Sequence, residues 1–148
     1  MNKQQVKRWM FYLIGVIICA GGVSCIIASN MGTGSWDAVA VGFSHIIGGT
    51  TGTWVMLVGV MLMLVNAWLF QKRPDVFAFI TVFLIGLCID FCLTTLLSDA
   101  ANAELPSRIR LYLLGFVLTT LGGSIYLQAT FAPSPIDNLM LAVKHRFG

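Results

Sequence analysis

Four long stretches that are uncharged or nearly so constrain this 148-residue chain more than any other feature. Each has about 18 or more residues in a largely apolar window, the length with which a helix crosses a bilayer about 30 Å thick. Asp90 is the only charged residue within them. The predicted spans are residues 9–29, 53–70, 76–97 and 111–131.

The composition agrees with lipid as the solvent for most of the chain. Only 10% of its residues are charged, whereas a soluble domain has about 25%. Within lipid, a helix satisfies its backbone hydrogen bonds inside its own segment. We therefore predict an all-α, polytopic transmembrane helical bundle, with residues 1–148 forming a single membrane domain.

The distribution of Lys and Arg predicts an orientation. With the N-terminus inside, seven of these residues would face the cytoplasm and two would face the outside, which favours cytoplasmic termini at both ends. The two on the outer side are Arg108 and Arg110, and the seven on the inner side are Lys3, Lys7, Arg8, Lys72, Arg73, Lys144 and Arg146.

The chain also resembles itself at an offset of 100 residues. Residues 8–48 align with 108–148 without a gap, and nine positions are identical. Three spans lie in each period, and because this number is odd, the second copy must be inverted in the membrane. The repeats would cover residues 8–99 and, incompletely, residues 108–148. The identical pairs are Arg8/Arg108, Tyr12/Tyr112, Leu13/Leu113, Gly15/Gly115, Gly22/Gly122, Ser24/Ser124, Asp37/Asp137, His45/His145 and Gly48/Gly148.

Inverted repeats of this kind are typical of secondary transporters. Because the second copy has no counterpart of spans two and three, we expect either a truncated chain or a homodimer in which two chains complete the second half. Small residues in span one (Ala20 and Ser24) and span four (Gly115, Thr119 and Gly123) predict faces for close helix approach. The first and last spans are repeat mates, and we expect them to pack together.

A short apolar segment, residues 38–47, follows the first span and is too short to cross the bilayer. It predicts a re-entrant or interfacial helix, and the second copy has an equivalent. Asp37 and Asp137 are placed as N-caps, His45 lies in the last turn and Gly48 just beyond the end. Capping alone accounts for these matched residues.

A functional interpretation of the same segment is that the two short helices meet near the midplane. Their N-terminal amides would then bind an anion, with Gly32, Gly34 and Ser35 allowing close backbone approach. A cation held by Asp37 and Asp137 is equally consistent. Asp90 is the third candidate for a substrate or ion site, because a carboxylate at membrane depth is costly unless paired; hydration near the outer interface is the alternative.

Other classes of function find no support in the sequence. The Lys and Arg residues form no basic stripe for nucleic acid. No phosphate loop, nucleophile elbow or His-Glu-x-x-His motif is present, so we predict no enzyme activity and no cofactor. Cys88 and Cys92 share a helix face but lack further ligands for a metal.

Three short motifs resemble the YczE/YitT-type bacterial integral membrane proteins. They are Met31-Gly-Thr-Gly-Ser-Trp-Asp37, Gly48…Gly52-Thr-Trp54 and Pro133-x-Pro-x-Asp-x-Leu-Met140. The resemblance implies a polytopic inner-membrane protein with duplicated halves and no assigned substrate. The family continues into about two more helices, and this chain has Ala132 and Ser134 where the family tends to have glycine.

Together these features predict a bacterial plasma-membrane protein of transporter-like architecture, whose substrate, a small molecule or an ion, is unknown. The lipid bilayer is its expected environment. The alternative is a membrane scaffold or accessory protein that transports nothing and uses the repeat only for packing.

Overall fold

Five α-helices form the described part of the chain in the computed structural model, which covers residues 3–70, 76–98, 100, 104–128, 139 and 143–144. The fourth helix continues as a π-helical segment, Cys92–Leu96. No strand is present among these residues, so the all-α prediction is confirmed. The helices are α1 (Lys3–Ala28), α2 (Ser35–Ile46), α3 (Thr51–Phe70), α4 (Val76–Phe91) and α5 (Leu105–Gln128).

Four of these helical segments are long and apolar enough to cross a membrane, which makes the chain a multi-pass membrane protein. Each corresponds to one predicted span, although the last begins at Leu105 rather than at Leu111. Pro106 lies in its first turn, where a missing backbone N–H removes no helical hydrogen bond. The segments are Lys7–Ala28, Thr51–Phe70, Ala78–Leu96 and Leu105–Gln128.

Helices α1 and α5 pack against each other backbone to backbone, as predicted for the first and last spans. A Cβ added to Gly15 would lie 3.0 Å from the carbonyl oxygen of Gly122, and one added to Gly22 would lie 2.8 Å from that of Gly115. The reverse contacts are equally close. A Cβ added to Gly122 would lie 2.8 Å from the carbonyl oxygen of Gly15, and one added to Gly115 would lie 2.7 Å from that of Gly22. We call these four glycines the glycine seam. The predicted Gly123 is not part of it, because a Cβ there would meet no atom within 4 Å.

A second stripe on α1 is completely enclosed. Tyr12, Val16, Ala20 and Ser24 follow one another at intervals of four residues, and none is more than 2% exposed. The hydroxyl of Tyr12 contacts the Thr81 hydroxyl of α4. The corresponding stripe on α5 is open: Phe116 is 57% exposed, and Thr120 and Ser124 are also exposed while Tyr112 is half-buried.

Arg108 closes the C-terminal end of α1. Its Nε donates a hydrogen bond to the carbonyl oxygen of Ser29 (2.7 Å), and its terminal nitrogen donates to the carbonyl oxygen of Asn30 (2.9 Å). Asn30 has a left-handed φ of 52°, which turns the chain out of the helix. A cation is favourable here because the last carbonyls of a helix carry its negative dipole end.

The glycine seam predicts different outcomes for two adjacent alanine substitutions. Gly22→Ala should lower the free energy of unfolding by about 1–3 kcal/mol, because the added methyl overlaps backbone atoms of α5. Gly21→Ala is the matched control, since no atom lies within 4 Å of its Cβ; it should be neutral or stabilising by up to about 1 kcal/mol. Denaturant titration of both variants in detergent measures this, and equal losses would contradict the seam.

Candidate functional site

The short helix α2 begins earlier than predicted. Its N-cap is Gly34, which makes no side-chain capping bond, and its first residue is Ser35. Asp37 therefore lies in the first turn rather than at the N-cap, and the capping prediction for it was wrong. Gly32 has a φ of +130°, a conformation that L side chains rarely adopt, so the turn out of α1 requires glycine there.

The C-terminal end of α2 is tied to the start of α3. His45 lies in the last turn of α2, as predicted, and Gly48 follows the helix with a φ of +92°. The indole Nε1 of Trp54 donates to the carbonyl oxygen of Gly48 at 2.8 Å. The ring of Trp54 lies 5.0 Å from that of Phe43, centroid to centroid. Helix α2 is thus attached to α3 by an aromatic contact and a hydrogen bond.

A cavity of about 210 Å³ lies where all five helices contribute side chains. Its walls from α3 and α4 are entirely apolar, and Asp37 is the only charged residue that lines it among the described residues. The lining residues are Cys19, Val23, Trp36, Asp37, Val55, Val58, Gly59, Leu62, Val82, Ile85 and Tyr126. Several of them lie near the middle of their spans, so the cavity reaches the depth of the bilayer interior.

The carboxyl group of Asp37 is partly buried, and burial raises its pKa above the ordinary value of 3.8. Loss of hydration penalises the charged form. Gly34 allows the side chain to fold back over the helix end, since a Cβ at Gly34 would lie 3.0 Å from Oδ2 of Asp37.

Asp90 has a different environment, at the N-terminal end of α3. It accepts hydrogen bonds from the backbone N–H of Gly52 (2.7 Å) and from the hydroxyl of Thr50 (2.5 Å). The carboxylate therefore satisfies groups at the positive end of a neighbouring helix. Close packing permits this contact, because Gly52 lies directly against the backbone of Gly86. Asp90 does not line the cavity.

Of the predicted site residues, the structure places only Asp37 in the cavity. Gly32, Gly34 and Ser35 shape the turn and the first residues of α2. Asp137 lies outside the described residues, as do His145 and Gly148. Among the described residues, no group of three His, Cys, Asp or Glu side chains could hold a metal ion.

Sequence reasoning missed three polar or aromatic residues of the cavity: Cys19, Trp36 and Tyr126. Trp36 could have been found from its position beside Asp37. The other two come from α1 and α5 and approach the cavity because the glycine seam brings those helices together. Nothing in their local sequence distinguishes them from packing residues.

Comparisons with known proteins agree with the motifs identified above. The model of DUF6198, described as a family of unknown function, matches residues 6–148. The uncharacterized protein YyaS of Bacillus subtilis is 39% identical over 137 residues, which are 93% of this chain and 68% of that protein. The uncharacterized membrane protein YczE of the same organism is 31% identical over 149 residues, covering 100% of this chain and 68% of YczE. The predicted resemblance to YczE-type proteins is confirmed.

No solved structure matches the chain.

The capping contact of Asp90 predicts a loss of stability when its oxygens are removed. Asp90→Ala leaves the Gly52 N–H and the Thr50 hydroxyl without this acceptor, which should lower the free energy of unfolding by about 1–2 kcal/mol. Asp90→Asn keeps one acceptor oxygen and a similar size, and it should lose less. Denaturant titration in detergent compares the two, and an Asp90→Ala variant as stable as the wild type would contradict the cap.

The raised pKa of Asp37 predicts how stability depends on pH. The folded protein binds the Asp37 proton more tightly than the unfolded chain does, so this contribution is complete below about pH 4 and is lost as the pH rises through the folded pKa. Asp37→Asn should therefore be more stable than the wild type at neutral pH, and the difference should vanish in acid. Unfolding titrations from pH 3.5 to pH 8 measure it; parallel curves for the two proteins would contradict the burial of the carboxyl group.

Proposed function

We propose that this chain, which belongs to the DUF6198 family of unknown function, is a secondary transporter of the bacterial plasma membrane. The observation that carries the proposal is the cavity: it lies at the depth of the spans and, among the described residues, has one carboxyl group in largely apolar walls. An ionisable residue inside a membrane bundle is costly and commonly marks a substrate or ion pathway. Its substrate would bind beside Asp37.

The contacts between α1 and α5 support an inverted repeat. Under the 100-residue offset, Gly15 corresponds to Gly115 and Gly22 to Gly122. The contact of Gly15 with Gly122 then becomes the contact of Gly115 with Gly22, and both are present. Reciprocity of this kind is expected when two elements are related by a two-fold axis.

The positions of two arginines at the helix ends also support the repeat. Arg108 binds the carbonyl groups of Ser29 and Asn30, and its mate Arg8 lines a small pocket together with Gln128, the mate of Ala28. The open stripe on α5 corresponds to the buried stripe on α1, where α4 packs. A helix equivalent to α4 would cover that stripe in the second repeat.

For the orientation, we propose that both termini face the cytoplasm. Arg108 is one of the two basic residues that oppose this orientation, and its guanidinium group is engaged by the end of α1. Because helix carbonyls explain the position of Arg108, this residue is weaker evidence about orientation than the other basic residues are. Those residues favour cytoplasmic termini.

The rival function is a membrane scaffold that transports nothing. A scaffold needs the glycine seam but has no use for a binding cavity that opens to both sides. Access to the cavity therefore distinguishes the two functions, and Cys19, which lines it, offers a native reporter.

A transporter should expose Cys19 to water from each side of the membrane in turn. Cys25, Cys88 and Cys92 are replaced by serine, and Cys19 is labelled with a membrane-impermeant methanethiosulfonate in right-side-out and in inverted vesicles. We expect modification in both preparations. Single cysteines at Gln4 and at Gly49 are the controls, and each should react from one side only, Gln4 from the cytoplasmic side.

Reaction of Cys19 from one side only, or from neither, would favour the scaffold. Reaction of both Gln4 and Gly49 cysteines from the same side would contradict the proposed orientation.

A further inference from the structure

We infer that the cavity binds a compact lipophilic monocation, such as an amine or a quaternary ammonium compound with apolar substituents. Its charged nitrogen would lie against Asp37, and its apolar part against the walls from α3 and α4. This inference rests on the proposed transport function for its biological meaning, but the binding itself can be tested separately.

The charge of the lining residues favours a cation over other ligands. The other titratable groups among the described lining residues are Cys19 on α1 and Tyr126 on α5, and the lining residues of α3 and α4 have none. A cysteine thiol and a tyrosine hydroxyl are ordinarily neutral at pH 7. An ionised Asp37 therefore lacks a balancing charge among the described lining residues. An anion would add a second negative charge beside an ionised Asp37, whereas a monocation balances the first.

The apolar walls favour an organic cation over a metal ion. Calcium takes six to eight oxygen ligands, and magnesium requires an octahedral set. Among the described residues that line the cavity, only Asp37 and Tyr126 have a side-chain oxygen. Trp36 and Tyr126 instead offer aromatic rings, whose faces attract ammonium groups and gain most when water is excluded.

The size of the cavity limits the ligand. Its volume of about 210 Å³ exceeds the roughly 150 Å³ of an apolar protein cavity that accommodates benzene. A ligand with one aromatic ring and a small ammonium head group is therefore of suitable size. Val55, Val58 and Leu62 are spaced along one face of α3 and would contact the apolar part.

Binding of such a ligand would displace a proton. Burial raises the pKa of Asp37, so the carboxyl group of the empty cavity retains its proton to a higher pH than an exposed one. A permanent cation stabilises the carboxylate, the O–H bond of Asp37 breaks and the proton leaves to water. One positive charge enters as one leaves, and the cavity can exchange a cation for a proton without net charge movement.

The test uses benzyltrimethylammonium as the probe. Its binding to the protein in detergent is measured as protection of Cys19 from N-ethylmaleimide. At each pH, the rate of Cys19 modification with the probe is divided by the rate without it. The other three cysteines are replaced by serine. We expect the apparent affinity to rise about tenfold per pH unit while Asp37 is protonated and to level off above its pKa.

Matched ligands and variants separate charge from shape. Neopentylbenzene has the same shape without the charge, and phenylacetate has the opposite charge; both should bind at least tenfold more weakly. Asp37→Asn should weaken benzyltrimethylammonium binding at least tenfold at pH 8 and remove its pH dependence. Asp90→Asn changes a carboxylate outside the cavity and should leave both the affinity for benzyltrimethylammonium and its pH dependence unchanged.

The outcomes distinguish this inference from the transport proposal. Equal protection by neopentylbenzene and benzyltrimethylammonium, unaffected by Asp37→Asn, would overturn the cation site and indicate an apolar occupant such as a lipid chain. Absence of protection by any probe, with Cys19 still reactive from both sides of the membrane, would overturn the cation site and leave transport standing. Cation binding with access from one side only would support the site and overturn transport.

Discussion

Close contact between the backbones of α1 and α5 is the constraint on which the candidate site depends. Cys19 lies between Gly15 and Gly22 on α1, and a Cβ on Gly122 would collide with its backbone. Tyr126 lies against Gly15 in the same way. Two residues of the cavity are therefore positioned by the absence of side chains opposite them. In lipid, where apolar surface gains little from leaving the solvent, such small-residue contacts are a principal source of helix association.

Two charged groups near the helix ends have structural partners, whereas the carboxyl group of Asp37 lines the cavity. Asp90 lies at the positive end of α3 and Arg108 at the negative end of α1. In both places the charge complements the helix dipole and satisfies backbone groups that would otherwise lack a partner. Asp37 accepts no comparable set of hydrogen bonds from a neighbouring helix among the described contacts. Burial raises its pKa, so it keeps its proton to a higher pH than an exposed carboxyl group does.

The sequence allowed the spans to be predicted to within about six residues at each described end, because the length and apolarity of a membrane helix are local properties. It also predicted the short helix after span one and the pairing of α1 with α5. Gly122 rather than Gly123 belongs to the seam, since the choice depends on the rotation of α5 about its axis. The inverted repeat and the orientation stay predictions.

The site was harder to predict than the spans. Asp37 was identified, but as an N-cap, because an aspartate before an apolar run fits that position; the helix in fact begins at Ser35. Asp90 was identified because a carboxylate at membrane depth is energetically costly. Its partners, Thr50 and Gly52, could not be identified, because they lie about 40 residues away in the sequence. Cys19 and Tyr126 lie in the cavity through contacts between distant helices, which no local pattern records.

The attachment of α2 to α3 determines which movements are available to the bundle. Trp54 donates a hydrogen bond to the turn at Gly48 and its ring contacts that of Phe43, so α2 cannot tilt far without breaking the hydrogen bond and separating the two rings. Asp37 would therefore travel with α3 as part of a rigid hairpin. Any opening of the cavity that preserves these contacts moves α2 together with α3, rather than as a flap-like motion of the short helix alone.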